Sequence, residues 1–397
     1  MKQAGQGKEK PLKAVTVQTD QVDSVQAGQE LGNAIAQKMG SVPDAVLVFA
    51  SSTHDYQALL TAVQDACRPA ILIGCSSAGE FTSAGRGEGA ACAFALQAPE
   101  MRFTAAVGRR LSENREAAAQ DVVSSFNGLS DHQYGHRTAI VLADALAGFT
   151  DDLVEQLTRL TGGTYRFVGG GAGDDARFQQ THVFYGTEAI TDAVVALEIL
   201  SNKPIGIGVR HGWQPASDRM RVTEAEGVDL VSLNAIPAEE VIGEYAVATG
   251  QDFDRTAPVP FFLHNTLGIE VGDRYRLRVP LAVNDDGSLH CASDVPAGSL
   301  TRIMKTDTPS AAQAAEEAAR DAVDQLGELE PEAALFFDCV ATRLRIGNEF
   351  GNELAKVQGI LGQAEYAGCN TYGQIARAEG QFGGFHNCTA VVCVFPK

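Results

Sequence analysis

The chain has 397 residues, 45% of them hydrophobic and 20% charged. That is more than one ordinary core holds, and enough apolar material to fold without disulfide staples. The net charge of −19 repels phosphate and so excludes nucleic acid and anionic membrane as principal partners. No stretch approaches the ~20 apolar residues of a membrane span. Residues 1–13 are polar and lack the apolar core of a signal peptide, so a cytoplasmic protein with a loose N-terminal tail is expected.

In chain order, residues 14–19 predict a strand, 25–39 a helix with apolar residues near helical spacing, and 44–50 (DAVLVFA) a strand buried on both faces. A helix over 56–67 and a strand over 70–74 follow. This alternation predicts an α/β fold: repeated strand–helix–strand units forming mixed sheets with covering helices. Strand 138–143, helix 151–160 and strands 181–185 and 194–199 continue it. A domain boundary is expected near 200–204, giving an α/β domain over 14–203 and a second domain over 204–397 with a β-rich region. There, one helix is expected near 238–245. Strands 274–283 and 288–293 join across Asn284-Asp285-Asp286-Gly287 in a hairpin. Residues 308–326 predict an exposed amphipathic helix.

An internal repeat stands out. Gly74-Cys75-Ser76-Ser77-Ala78-Gly79-Glu80 matches Gly368-Cys369-Asn370-Thr371-Tyr372-Gly373-Gln374. Each copy follows a strand and a helix (46–50 and 56–67; 334–339 and 348–361), and each precedes a β-rich strand (89–96; 386–395). A looser third copy ends in Gly169-Gly170-Gly171-Ala172-Gly173-Asp174-Asp175. Glycines let the backbone take positive φ and come close to something. Ligands in open α/β sheets bind beyond the carboxyl ends of strands. The expectation is that these turns surround one shared ligand crevice, lined by the named residues from Gly74 to Glu80, from Gly169 to Asp175 and from Gly368 to Gly373.

Other chemistry is less sharply written. The Gly169–Asp175 run has no Gly-Lys-Ser/Thr after it and a strand rather than a helix is expected next, so neither a phosphate loop nor a dinucleotide fingerprint is present. Cys75, with His54-Asp55 as base, would make a cysteine hydrolase, although the spacing misses the nucleophile elbow by one residue. Cys339, Cys369, Cys388 and Cys393 would make a thiol redox or iron–sulfur switch. Cys388 and Cys393, read in one strand, differ by an odd step and so face opposite sides. Eight cysteines with no C-x-x-C pair read otherwise as buried thiols. A haem needs only one axial nitrogen and an apolar pocket.

Leu72-Ile73-Gly74-Cys75-Ser76-Ser77-Ala78-Gly79-Glu80 resembles the signature of the FIST N-terminal domain, and Val168–Asp175 resembles its second hallmark. His211-Gly212-Trp213 and Val222-Thr223-Glu224-Ala225-Glu226-Gly227 are similar to the segment that follows there. Tyr372-Gly373-Gln374-Ile375 and Phe385-His386-Asn387-Cys388-Thr389 are similar to the FIST C-terminal domain, with Gln374 where that family carries Glu. The resemblance implies a non-enzymatic intracellular sensor of a small ligand such as an amino acid, read by a separate partner. Stand-alone members resembling this chain imply haem b and nitric oxide, acting on a histidine kinase or on a diguanylate cyclase or phosphodiesterase. His54, His211 and His386 are the axial candidates, and a homo-oligomer is compatible with this reading.

Overall fold

The computed structural model describes residues 12–87, 89–377 and 384–397. Most of the expected tail lies outside the described residues, and Lys13 already opens the first strand.

The chain builds the same unit three times. The first runs β1 (Lys13–Thr19), α1 (Ser24–Met39), β2 (Ala45–Ala50), α2 (Tyr56–Cys67), β3 (Ile71–Ser76), a hairpin of β4 (Glu80–Thr82) and β5 (Gly85–Gly87), then β6 (Ala91–Gln97). The second runs β7 (Arg102–Arg109), α3 (Arg115–Ser124), β8 (His136–Ala143), α4 (Thr150–Leu160), β9 (Arg166–Gly171), the hairpin β10 (Val183–Tyr185) and β11 (Glu188–Ile190), then β12 (Ala193–Ser201). The third opens with β13 (Gly206–Arg210) and is interrupted by an insertion. The insertion holds β14 (Gln214–Pro215), β15 (Met220–Glu226), β16 (Asp229–Leu233), β17 (Ile236–Pro237), α5 (Ala238–Thr249), α6 (Val259–Phe262), β18 (Asn265–Val271), β19 (Arg274–Arg278), β20 (Pro280–Val283), β21 (Leu289–Cys291) and β22 (Leu300–Lys305). The third unit resumes with α7 (Thr308–Asp324), β23 (Pro331–Cys339), α8 (Val340–Ile346), α9 (Phe350–Leu361), β24 (Glu365–Thr371), the hairpin β25 (Gln374–Arg377) and β26 (Phe385–His386), and β27 (Ala390–Pro396).

Each unit makes a four-stranded core in one order: β1-β6-β2-β3, β7-β12-β8-β9 and β13-β27-β23-β24. The central pair is parallel in all three, β2 with β3, β8 with β9 and β23 with β24, as a helical crossover requires. The hairpins do not stay at home. β4–β5 of the first unit pairs with β24 of the third, β10–β11 of the second pairs with β3 of the first, and β25–β26 of the third pairs with β9 of the second. Three six-stranded sheets result, closed by a cyclic exchange of hairpins. Residue 203 falls between the second and third units, yet strand pairing crosses it in both directions.

Alternation along the strands fixes the packing. Leu47 and Phe49, Ile140 and Leu142, and Leu335 and Phe337 point into one core shared by all three sheets. Their neighbours Val46 and Val48 lie under α1 and α2, Ala139 and Val141 under α3 and α4, and Ala334 and Phe336 under α7 and α9. The helices start at aspartate caps where the sequence offers them: Asp23 accepts from Gln26 N–H at 2.9 Å and Asp55 from Ala58 N–H at 3.1 Å.

Four expectations need correction. The helix expected over 308–326 is not an exposed element: it buries seven alanines, and a Cβ on Gly206 or Gly208 would lie 1.8 Å from its backbone oxygens, so it seals the third sheet. The strand expected over 274–283 breaks at Val279, where β20 leaves to pair with β21. The helix expected from 348 starts at Phe350, after the separate α8. Cys388 precedes β27 with φ of +51°, so the facing argument drawn from one strand does not apply to it. The hairpin across residues 284–287 is present, as β20–β21.

Candidate functional site

The three repeat motifs do meet. Gly173 N–H donates to Ser76 O (2.9 Å), Ala78 N–H to Asn370 O (2.9 Å), Asn370 N–H to Gly79 O (2.8 Å), and Gly171 N–H to Gly373 O (2.9 Å). Tyr372 hydroxyl donates to Asp174, which also accepts from the N–H groups of Phe178, Gln179 and Gln180. Burial pulls Asp174 up, but the Tyr372 hydroxyl and those amides outweigh it and hold the carboxyl below its usual range. Asp175 accepts from Ser51 Oγ (2.8 Å), Ser52 N–H (2.7 Å) and Ser52 Oγ (2.5 Å). Ser77 donates to the wholly buried Glu80, which desolvation pushes up to about 8.

The glycines expected to line a crevice are packed against neighbouring strands and side chains. Gly74, Gly169 and Gly368 are strand residues, each pressed on its parallel neighbour. A Cβ there would lie 1.9 Å from Val48 O, 2.0 Å from Val141 O and 1.9 Å from Phe336 O. Gly170 faces Thr371, and Gly373 faces the ring of Phe385. None of the five described cavities is lined by any expected ligand residue from the three motifs. The motifs interlock the units through these hydrogen bonds, although Glu80 Oε2 is buried without a partner. Cys75 and Cys369 touch each other inside the shared core, fully buried, which removes Cys75 as an accessible nucleophile. Cys388 also bonds Cys339 and draws that thiol down to about 6. All eight cysteines are free and buried. Among the described residues no three His, Cys, Asp or Glu side chains converge on a metal position, and no helix is long and apolar enough to cross a membrane.

The histidines divide. His211 spends both ring nitrogens, Nε2 on Tyr275 O (3.0 Å) and Nδ1 as acceptor from Trp213 N–H (3.3 Å). His386 bonds Ala376 O through Nε2 (3.0 Å), and burial pushes it down to about 4. Although 175 positions apart, the two line one cavity of 470 Å³. His54 bonds Ser24 Oγ through Nδ1 (3.3 Å), and its Nε2 is buried with no partner.

A second cavity, of 540 Å³, was not foreseen. It lies where α4 meets the insertion strands and β25. Asp151, Asp152, Glu155 and Thr158 line one wall, and Arg276, Ser293, Asp294 and Arg377 the other. Arg278, fully buried, crosses behind it and pairs with Asp151 (2.5 Å) and Asp294 (3.3 Å). Burial, above all, raises Asp151 to about 7, although Arg278 opposes this. Arg276 and Arg377 are half-buried and have no hydrogen bond or ion pair among the described residues. Thr158 Oγ1 is buried there without a partner.

Residues 44–236 match the FIST N domain and residues 238–377 the FIST C domain. The chain belongs to the FIST family. FIST domains are small-ligand-sensing domains of signalling proteins. The two matches meet inside the insertion, rather than near residue 203. Two uncharacterized proteins of Mycobacterium tuberculosis, from strains CDC 1551 / Oshkosh and ATCC 25618 / H37Rv, are each 24% identical over 385 residues, which is 93% of this chain and 95% of theirs. Among solved structures, a cyanuric acid hydrolase from A. caulinodans aligns over 97% of this chain and 99% of its own at 8% identity and a TM-score of 0.32. Phosphoribosylformylglycinamidine synthase II from Thermotoga maritima aligns over 97% and 72% at 10% identity and 0.24. The 540 Å³ cavity takes α4 from the FIST N part and the opposite wall from the FIST C part.

Proposed function

We propose that this FIST protein is a non-enzymatic sensor of a small zwitterionic metabolite, an α-amino acid in its simplest form, bound without haem in the 540 Å³ cavity. The observation that carries the reading is the pair of guanidiniums, Arg276 and Arg377, facing one cavity without a partner among the described residues. A half-buried guanidinium without an acceptor is costly, and its fork matches a carboxylate. Glu155 and Asp294 on the same lining suit an ammonium group, and Thr158 Oγ1 supplies a spare hydroxyl. A ligand so held touches α4 and the FIST C wall at once. It therefore favours whichever arrangement of the two keeps both contacts, which is how binding becomes a signal. A separate receiver, a histidine kinase or a cyclic-di-GMP enzyme, would read that change.

Haem finds little support at the three histidines expected to hold it. His211 has no free nitrogen, His386 offers only Nδ1 onto a wall shared with three arginines, and the open nitrogen of His54 is sealed inside the fold. Nitric oxide sensing through haem therefore receives no support from these side chains. Thermal-shift and calorimetric titration against the amino acids test the proposal. At least one should raise Tm, as expected of a ligand that binds only the native state. Arg377→Gln should weaken its binding tenfold or more. No binder among the amino acids, or a Soret band in protein isolated from haem-replete cells, would overturn it.

A further inference from the structure

The strand β19 reads Arg274-Tyr275-Arg276-Leu277-Arg278, so its three arginines share one face at two-residue spacing. Only the innermost is neutralised: Arg278 pairs with Asp151 and Asp294. Arg274 and Arg276 have no ion pair or hydrogen bond among the described residues. Both line the 470 Å³ cavity, together with Arg210, whose Nε is buried without a partner although Nη2 reaches Asp321 at 2.7 Å. The two carboxylates on the lining, Asp273 and Glu317, are exposed and make no ion pair with these arginines among the described residues. Arg274 and Arg276, without ion pairs, face one hollow beside the Asp321-paired Arg210 in a chain of net charge −19, and repel one another unless an anion lies between them.

We propose that the 470 Å³ cavity is an anion site for the phosphate group of a small phosphorylated metabolite. A tetrahedral dianion accepts from several directions at once, which suits donors arriving from β13 (Arg210) and from two successive outward positions of β19. His211 and His386 stand on the same lining as neutral rings and add no competing negative charge. Arg276 also lines the 540 Å³ cavity. Where the zwitterion reading holds, the two occupants draw on one guanidinium, so each weakens the other by the same factor.

Isothermal titration with inorganic phosphate at constant ionic strength tests the site. The wild-type protein should bind one phosphate, and Arg274→Gln, an exposed position, should raise Kd tenfold or more. Arg377→Gln, which touches only the other cavity, should leave phosphate binding unchanged. Equal binding by wild type and Arg274→Gln, or no saturable heat at all, would overturn the site. A phosphate response without any amino-acid response would sink only the zwitterion reading. An amino-acid response without a phosphate response would sink only this one. Given both ligands, saturating phosphate should raise the amino acid's Kd, and an unchanged Kd would remove the coupling.

Discussion

Replacing Gly74 by alanine tests the packing that joins β2 to β3. The new methyl would lie 1.9 Å from the carbonyl oxygen of Val48, with the Val48 carbonyl carbon at 2.8 Å and its nitrogen at 2.9 Å. Relief to an ordinary contact of about 3.4 Å requires the strands to part by roughly 1.5 Å, which stretches ladder hydrogen bonds of about 2.9 Å beyond 4 Å and so breaks them locally. Overpacking a core costs about 1–3 kcal/mol where side chains can yield. Here the obstacle is backbone, so a loss of at least about 3 kcal/mol is expected. Gly351→Ala and Gly359→Ala serve as controls. Both sit in α9 with nothing within 4 Å of the added carbon, so each should gain up to about 1 kcal/mol. Urea midpoints measure all three. A Gly74→Ala protein within 1 kcal/mol of wild type would refute the close-approach account of the repeated glycine.

The buried acids make stability depend on pH. Desolvation raises Glu80 and Glu353 to about 8 and Asp338 well above its usual value, so the native state keeps protons that the unfolded chain has lost. Stability is then full at low pH and lost as pH rises through those folded values, by at most about 1.4 kcal/mol per unit per group. Cys339, drawn down to about 6, works the other way but is one group against three. Above about pH 7.5 the buried histidines, lowered in the fold, are neutral in both states, so Tm should fall from about pH 7.5 to 8.5 in buffered scanning calorimetry, and a rising Tm contradicts the burial of these acids. Arg278→Ala should cost about 3–5 kcal/mol, because Asp151 and Asp294 lose a partner that is 0% exposed; a Tm change under 2 °C would mean the triad is dispensable. Dithionitrobenzoate should find fewer than one reactive thiol in the native protein and eight in denaturant, since all eight are buried; two or more fast native thiols would show an open interior.

The alternation of strands and helices was legible because burial writes itself into local periodicity: Ala45–Ala50 is apolar throughout and is buried throughout. The repeat was legible too, through the shared Gly-Cys-polar-polar-x-Gly-polar spacing. What that glycine does was misread. A glycine inside an apolar strand signals close backbone approach, and Leu72-Ile73-Gly74-Cys75 carried that signal. The exchange of hairpins was not legible, since Glu80–Thr82 contains nothing local that names β24 as its partner. His211 and His386 were singled out singly, and only the fold brings them to one wall. Arg276 and Arg377 were missed, although the alternation of arginine in 274–278 marks a charged strand face without needing a structure.

The hairpin exchange gives the molecule no natural place to be cut. Severed at residue 237, the N-terminal piece would leave the outer side of β9 bare, and its own β4–β5 would have no strand to dock against. The C-terminal piece would bare β24 in turn. Exposed strand borders of this kind recruit one another, so each half produced alone should clump, while the two co-expressed as separate polypeptides should find each other and dissolve. The boundary between the FIST N and FIST C matches is thus a convenience of naming, not a seam along which the protein comes apart.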